Sequence, residues 1–144
     1  MTYNQLGFAL VRLQTESFAI IESAYKKTGE VNLHSQLGFG LDAKESIVSC
    51  TVKFSFEKKA NQPFLILETT ALFKIETNDF KEKVIQEDGS FLIAKALAIH
   101  FAVLTVGSAR GILHAKTENT VYNDYLLPTI DVNQLVQDDI SFSK

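Results

Sequence analysis

Three histidines, a single cysteine and the serine of VGSARG are the residues of this chain whose types invite a catalytic or metal-binding reading. His100 and His114 fall in one helix-like stretch, about 21 Å apart at the α-helical rise. His34 stands in a strand-like run, so no two histidines have the spacing of a metal site. VGSARG departs from the GxSxG elbow and lies inside a helical pattern rather than at a strand-to-helix turn, which makes Ser108 a small packing residue. LGFGLD sits in a strand pattern and lacks the third glycine and following helix of a dinucleotide loop. Its glycines, Gly38 and Gly40, mark a bulge or a close approach. Cys50 lies in the alternating run VSCTVKFSF and reads as a small core residue. The expectation is a protein with no catalytic residue, no metal site and no cofactor.

The elements that would hold any site follow from composition and periodicity. With 144 residues, 46% of them hydrophobic, the chain is long enough for one domain, 1–144, with a substantial core. Fourteen basic residues against seventeen acidic ones give a net charge of -3, which supplies no positive field for nucleic acid. One cysteine allows no internal disulfide. The start, MTYNQLGFALVRLQTES, has no basic region, long apolar middle or small-residue cleavage site, so a cytoplasmic location is expected.

The first two thirds alternate with period two, as half-buried strands do. Val31, Leu33, Leu37, Phe39 and Leu41 oppose Asn32, His34, Gln36 and the two glycines. Val48, Cys50, Val52, Phe54 and Phe56 repeat the pattern. In FLILETTALFKIE the inward set is Leu65, Leu67, Ala71, Phe73 and Ile75. An earlier strand, FALVRLQTESFAIIESA, carries a break near Thr15, and YKKTGE supplies the turn after it. The fold class expected is α+β: a four-stranded antiparallel meander within residues 6–76, packed by one long helix and a short C-terminal helix.

The period then changes. Ser90 is a candidate N-cap for a helix from about 91 to 115, followed by a loop and a short helix, capped by Asp131, within 116–140. Fourteen residues between Lys95 and Arg110 carry no acid or base. That stretch is too short and too interrupted to cross a membrane, which takes about 20 apolar residues. Leu92, Ala96, Ile99, Val103 and Val106 form one apolar stripe; Leu97, Phe101 and Leu104 form another on nearly the opposite side. A sheet buries one stripe, and exposing a large apolar side chain forfeits roughly 1.5 to 3 kcal/mol. The second stripe, with the small residues Ala98, Ala102 and Thr105 beside it, therefore predicts a subunit interface. The alternative is a C-terminal segment folded back over the helix.

This layout resembles the SecB family of bacterial export chaperones. FALVRLQTESFAIIE is similar to the family's first strand, with Phe8 and Arg12 ahead of a serine and an aromatic. FLILETTALFKIE is similar to its fourth strand, SARGIL to an Arg-Gly pair late in its long helix, and YLLPTIDVNQLV to the approach to its last helix. The stretch from Gly111 to Leu127 is longer than in familiar members, the connector after Glu76 is short, and VQDDISFSK is no long acidic tail. The resemblance implies an ATP-independent holdase, assembled as a homo-oligomer from dimer to tetramer, that binds unfolded polypeptide clients. It also implies docking of a SecA-type motor at Glu76.

A holdase needs broad, shallow apolar surface. Phe64, Ile66 and Leu72 on the outward face of the fourth strand, with Tyr122, Tyr125, Leu126 and Leu127 on the loop after the long helix, are the candidate peptide-binding residues. Two rival readings accompany this one. A hot-dog acyl thioesterase also wraps a sheet round an apolar helix, although its helix precedes most strands. A chaperone of the same fold dedicated to one partner, such as an antitoxin, shares every feature above.

Overall fold

The computed structural model describes residues 6–144; the reading of MTYNQ as part of no export leader lies outside the described residues. Four long strands form where the alternation places them: β1 (Phe8–Ile20), β2 (Asn32–Asp42), β3 (Ile47–Lys59) and β4 (Gln62–Ile75). They make one antiparallel sheet, giving an α+β fold with the helices described below. On its helix side lie Val48, Cys50, Val52, Phe54 and Phe56 of β3 with Leu65, Leu67, Ala71, Phe73 and Ile75 of β4, all buried. The irregularity near Thr15 is a register shift between Thr15 and Ser17, and a second falls between Leu10 and Arg12.

The strand order is β1-β4-β3-β2, so only β2, β3 and β4 form a meander. β1 pairs with β4 instead of β2. The reason lies in the connection from Ile21 to Val31, which contains a 3-10 turn at Glu22–Ala24 and is too long for a hairpin loop. At about 4.8 Å between strands, it must traverse roughly 14 Å to reach the far edge.

After Ile75 the chain does not run as a short linker. A turn of helix, α1 (Thr77–Asp79), continues as a π-helical turn, Phe80–Val84, whose end residues Phe80 and Val84 are buried. Strand β5 (Phe91–Ile93) then pairs with β6 (Ile140–Phe142). The long helix, α2, therefore spans Lys95–Thr117 rather than starting at residue 91. Ser90 is not its cap; the Ser90 amide donates to Asp88 Oδ1 in the preceding turn. The first turn is capped from the other end of the sequence, the Lys95 N–H donating to Asp139 Oδ1 at 2.7 Å. The short helix α3 (Val132–Leu135) has the expected cap, Asp131, whose side chain accepts from the Asn133 N–H.

By length and composition α2 could cross a membrane. In this fold one side of it is occupied by its own sheet. Ala98, Ala102, Thr105 and Ala109 are all fully buried, and they bring the helix axis close to the strands. Phe101 stacks on Phe73, ring centroids 4.2 Å apart, and Phe8 meets Phe101 edge-on at 5.0 Å.

Two outcomes follow from these contacts. Asp139→Ala should lower stability by about 0.5 to 2 kcal/mol in urea unfolding, the ordinary value of an N-cap, with little change in the denaturant slope. Burial pushes the Cys50 thiol up from 9.0 to about 11, a hydrogen bond to Thr105 offsetting part of the effect. The unfolded chain then ionises first, so this group's contribution is intact below pH 9 and is lost as pH rises toward 11, by roughly 3 kcal/mol in full. Comparing unfolding free energies of wild type and Cys50→Ala across that range should show the steeper decline only where the thiol is present.

Candidate functional site

The helix residues expected at a subunit interface lie mostly elsewhere. Leu97, Ala98, Phe101, Ala102 and Thr105 are buried against the chain's own sheet, which corrects the expectation. The error is geometric. At 100° per residue the small residues lie between the two bulky stripes, and it is this strip that seats on the sheet. The buried arc then takes Leu97 and Phe101 from one stripe and Val106 from the other, splitting both. Left outside are Leu104, 38% exposed, and Val103, 50% exposed, with Ala96, Gly107 and Gly111 around them. Between Lys95 and Arg110 this arc holds no Asp, Glu, Lys or Arg, and His100 is the titratable side chain on it.

Part of the cover comes from the chain itself. Arg110 donates from Nε to the Leu127 carbonyl at 3.1 Å and from Nη2 to the Pro128 carbonyl at 2.9 Å, strapping the loop to the helix. Between strap and helix runs a groove of about 240 Å³ lined by Val103, Val106, Arg110, Thr129, Ile130 and Val132. On the other flank the sheet extends beyond the helix. Leu10 and Leu13 of β1 pair with the buried Phe73 and Ala71, on the helix side, yet they are 47% and 42% exposed.

The candidate peptide-binding residues divide between two faces. Phe64 is not on the outward face: the ladder shifts register between Phe56 and Glu57, and Phe64 and Leu65 are both fully buried. Phe64 joins Tyr122, Tyr125 and Leu127 in one apolar cluster at the C-terminal end of α2. Tyr25, which sequence reasoning passed over, and Phe56, read there as a core strand residue, complete it. Tyr25, in the connection from β1, lies 5.1 Å from Phe64, and Phe56 lies 6.2 Å from Tyr125, by ring centroids. The signal was an aromatic beside the lysines of YKKTGE, read only as a turn. The Tyr25 and Tyr125 hydroxyls are 3.1 Å apart, and this bond, more than desolvation, pushes the Tyr25 phenol above its ordinary value. Lys58 Nζ stands 5.6 Å from both ring centroids and donates to the Lys27 carbonyl. On the loop, Leu126 is 56% exposed, whereas Leu127 is 3% exposed and belongs to the core.

Ile66 and Leu72 stay on the outward face of β4, half-buried and apart from this cluster. Leu72 lines a shallow depression with Leu41, Asp42, Ile47 and Ser49. Glu76 is exposed, but its carboxylate is occupied, accepting from the Asp79 N–H at 2.7 Å. Asp79 in turn accepts from the Gly7 N–H, which holds its carboxyl below the ordinary range. Glu76 is thus first a cap on α1.

The histidines are dispersed. His100 packs edge-on against Phe8, and His114 Nε2 lies 3.3 Å from Glu118. His34 Nε2 lies 2.8 Å from Glu57 Oε1, a pair that strand spacing did not suggest. Ser55 stands opposite His34 in the ladder, and among the described residues no hydrogen bond joins them. Among the described residues no three His, Cys, Asp or Glu side chains gather as a metal site.

No family model and no curated protein sequence matches this chain. Among solved structures it is similar to the SecB-like chaperone of Mycobacterium tuberculosis in complex with a ChAD peptide from an antitoxin. That likeness has 14% identity over 86% of this chain and 91% of the other, with a TM-score of 0.48. A protein of unknown function from Streptococcus agalactiae is similar over 88% of this chain and 98% of its own, with 13% identity and a TM-score of 0.36. At such scores neither likeness carries functional weight.

Proposed function

We propose that this protein is a nucleotide-independent holdase: a cytoplasmic, oligomeric binder of unfolded polypeptide segments. The observation that carries the reading is apolar surface left open by the fold. Leu10, Val11 and Leu13 on edge strand β1, Val103 and Leu104 on the helix, and Val121 and Leu126 on the loop are all exposed. Exposed large apolar side chains at these three places would serve surfaces that bind other chains. The resemblance of the strand and helix segments to export chaperones supports the same reading. A grip of this sort needs no catalytic constellation, and it tolerates many sequences because apolar contact is not directional.

Of these three regions, the helix and the loop have different roles in this reading. The outer arc of α2, without Asp, Glu, Lys or Arg between Lys95 and Arg110 and rich in small residues, suits contact between copies of this chain, as a dimer or as a tetramer of two dimers. The loop at the aromatic end suits clients. Sequence-tolerant clients in transit to export and a single dedicated partner, such as an antitoxin, differ in breadth: a holdase for export protects many unrelated chains, a dedicated one protects one.

The direct test adds the purified protein, without nucleotide, to a chemically unfolded client and follows light scattering together with complex mass. Suppressed scattering with a stable complex is expected; unchecked aggregation with no complex would refute the proposal. Leu126→Asp should weaken suppression several-fold while leaving the assembly and melting temperature intact. Leu127 is unsuitable for this purpose because it is core. Leu104→Asp should shift the sedimentation profile toward monomer without unfolding the chain, and an unchanged profile would remove the helix arc from the subunit contact.

A further inference from the structure

Three segments distant in sequence close over the aromatic end, and the contacts that close them differ from those beneath. Phe64 is fully buried and Tyr122 nearly so, while Tyr25 and Tyr125, which lie outside them, are half-buried. The outer pair is joined by one hydroxyl–hydroxyl bond, and Lys58 bridges both rings from the end of β3. Each loop is firmly held at its base. The Ile21 N–H donates to the Phe64 carbonyl at 2.8 Å, and Asn123 Nδ2 donates to the His114 carbonyl and to Thr117 Oγ1, both at 3.1 Å. The bases are fixed; among the described residues no backbone–backbone hydrogen bond joins the two tips, which meet through the tyrosine hydroxyls and through Lys58, itself tied to the Lys27 carbonyl.

We infer that Tyr25 and Tyr125 are a latch, holding closed a seat floored by Phe56 and Phe64 that accepts a large apolar or aromatic side chain of a client when the loops part. The inference rests on the holdase reading and specifies its site. With the latch made, the protein's own rings fill the seat, their centroids 5.0 to 6.4 Å apart. A client must then displace them, so its apparent affinity is lowered by the fraction of molecules that are open. Removing the hydroxyl bond while keeping both rings raises that fraction. The result is the reverse of ordinary mutational damage: a variant that lacks a contact binds more tightly.

The experiment uses the assembled protein and its Tyr25→Phe, Tyr125→Phe and double variants. Binding of a fluorescein-labelled unfolded peptide containing phenylalanine and leucine is followed by anisotropy, and amide exchange is followed over residues 22–28 and 121–127. Each single variant should bind roughly three- to tenfold more tightly, as expected for one lost neutral hydrogen bond. The double variant should match the singles, since both remove the same bond. Exchange in both segments should quicken together. Unchanged exchange with unchanged or weaker binding, in a wild type that does bind, overturns the latch alone. A wild type that binds no unfolded peptide removes the seat and the holdase reading together, whatever the exchange shows.

Discussion

The close seating of α2 on the sheet is the constraint from which the rest of the molecule follows. Four small residues, Ala98, Ala102, Thr105 and Ala109, meet the strands without a bulky side chain between helix backbone and sheet. Larger residues then fill the two margins, Leu97 and Phe101 on one side, Val106 and Leu113 on the other. Burying such side chains contributes roughly 1.5 to 3 kcal/mol each. Two apolar clusters result, one around Phe73 and Phe101, the other around Phe54, Phe64 and Leu113, with Leu37 touching both. A helix seated this close has a narrow footprint, which is why β1 reaches past it and keeps Leu10 and Leu13 uncovered.

The strands were legible because period-two alternation is a local property, which β2 and β3 write out in full and β4 from Leu65 onward. The position of β1 was not legible: alternation says that a segment is a strand, and nothing about which neighbour it takes. The start of the long helix was misread for a related reason. Phe91–Ile93 is apolar and continuous with a helical pattern, and becomes a strand only because Ile140–Phe142 lies beside it. A cap supplied by Asp139 leaves no trace near Lys95 in the sequence. The helix stripes were correctly located but wrongly assigned, since bulk was taken as the mark of the buried face when close approach selects for its absence.

The candidate site was legible in part. Phe64, Tyr122, Tyr125 and Leu127 form the floor and wall of a packed cluster, where the sequence reading has Phe64 on an open strand face and the other three on an open loop. Phe64 was placed on the wrong face because a shift in register at Glu57 cannot be read from alternation. Tyr25 was missed because its partners lie on segments far away in sequence. Ile66 and Leu72 keep the outward orientation that alternation gives them.

The strand order also has a consequence in time. β2, β3 and β4 are joined by tight turns, so their pairings close short loops and form early. β1 must pair Ile20 with Leu65 and Phe8 with Ile75, across the whole of the intervening meander. Long loops close late and slowly. The last long strand to dock is therefore the one that carries the most open apolar side chains of the sheet, and until it docks the edge of β4 stands vacant. During refolding that vacancy is the point at which a β1 from another molecule competes with the chain's own, so dilution favours the correct partner.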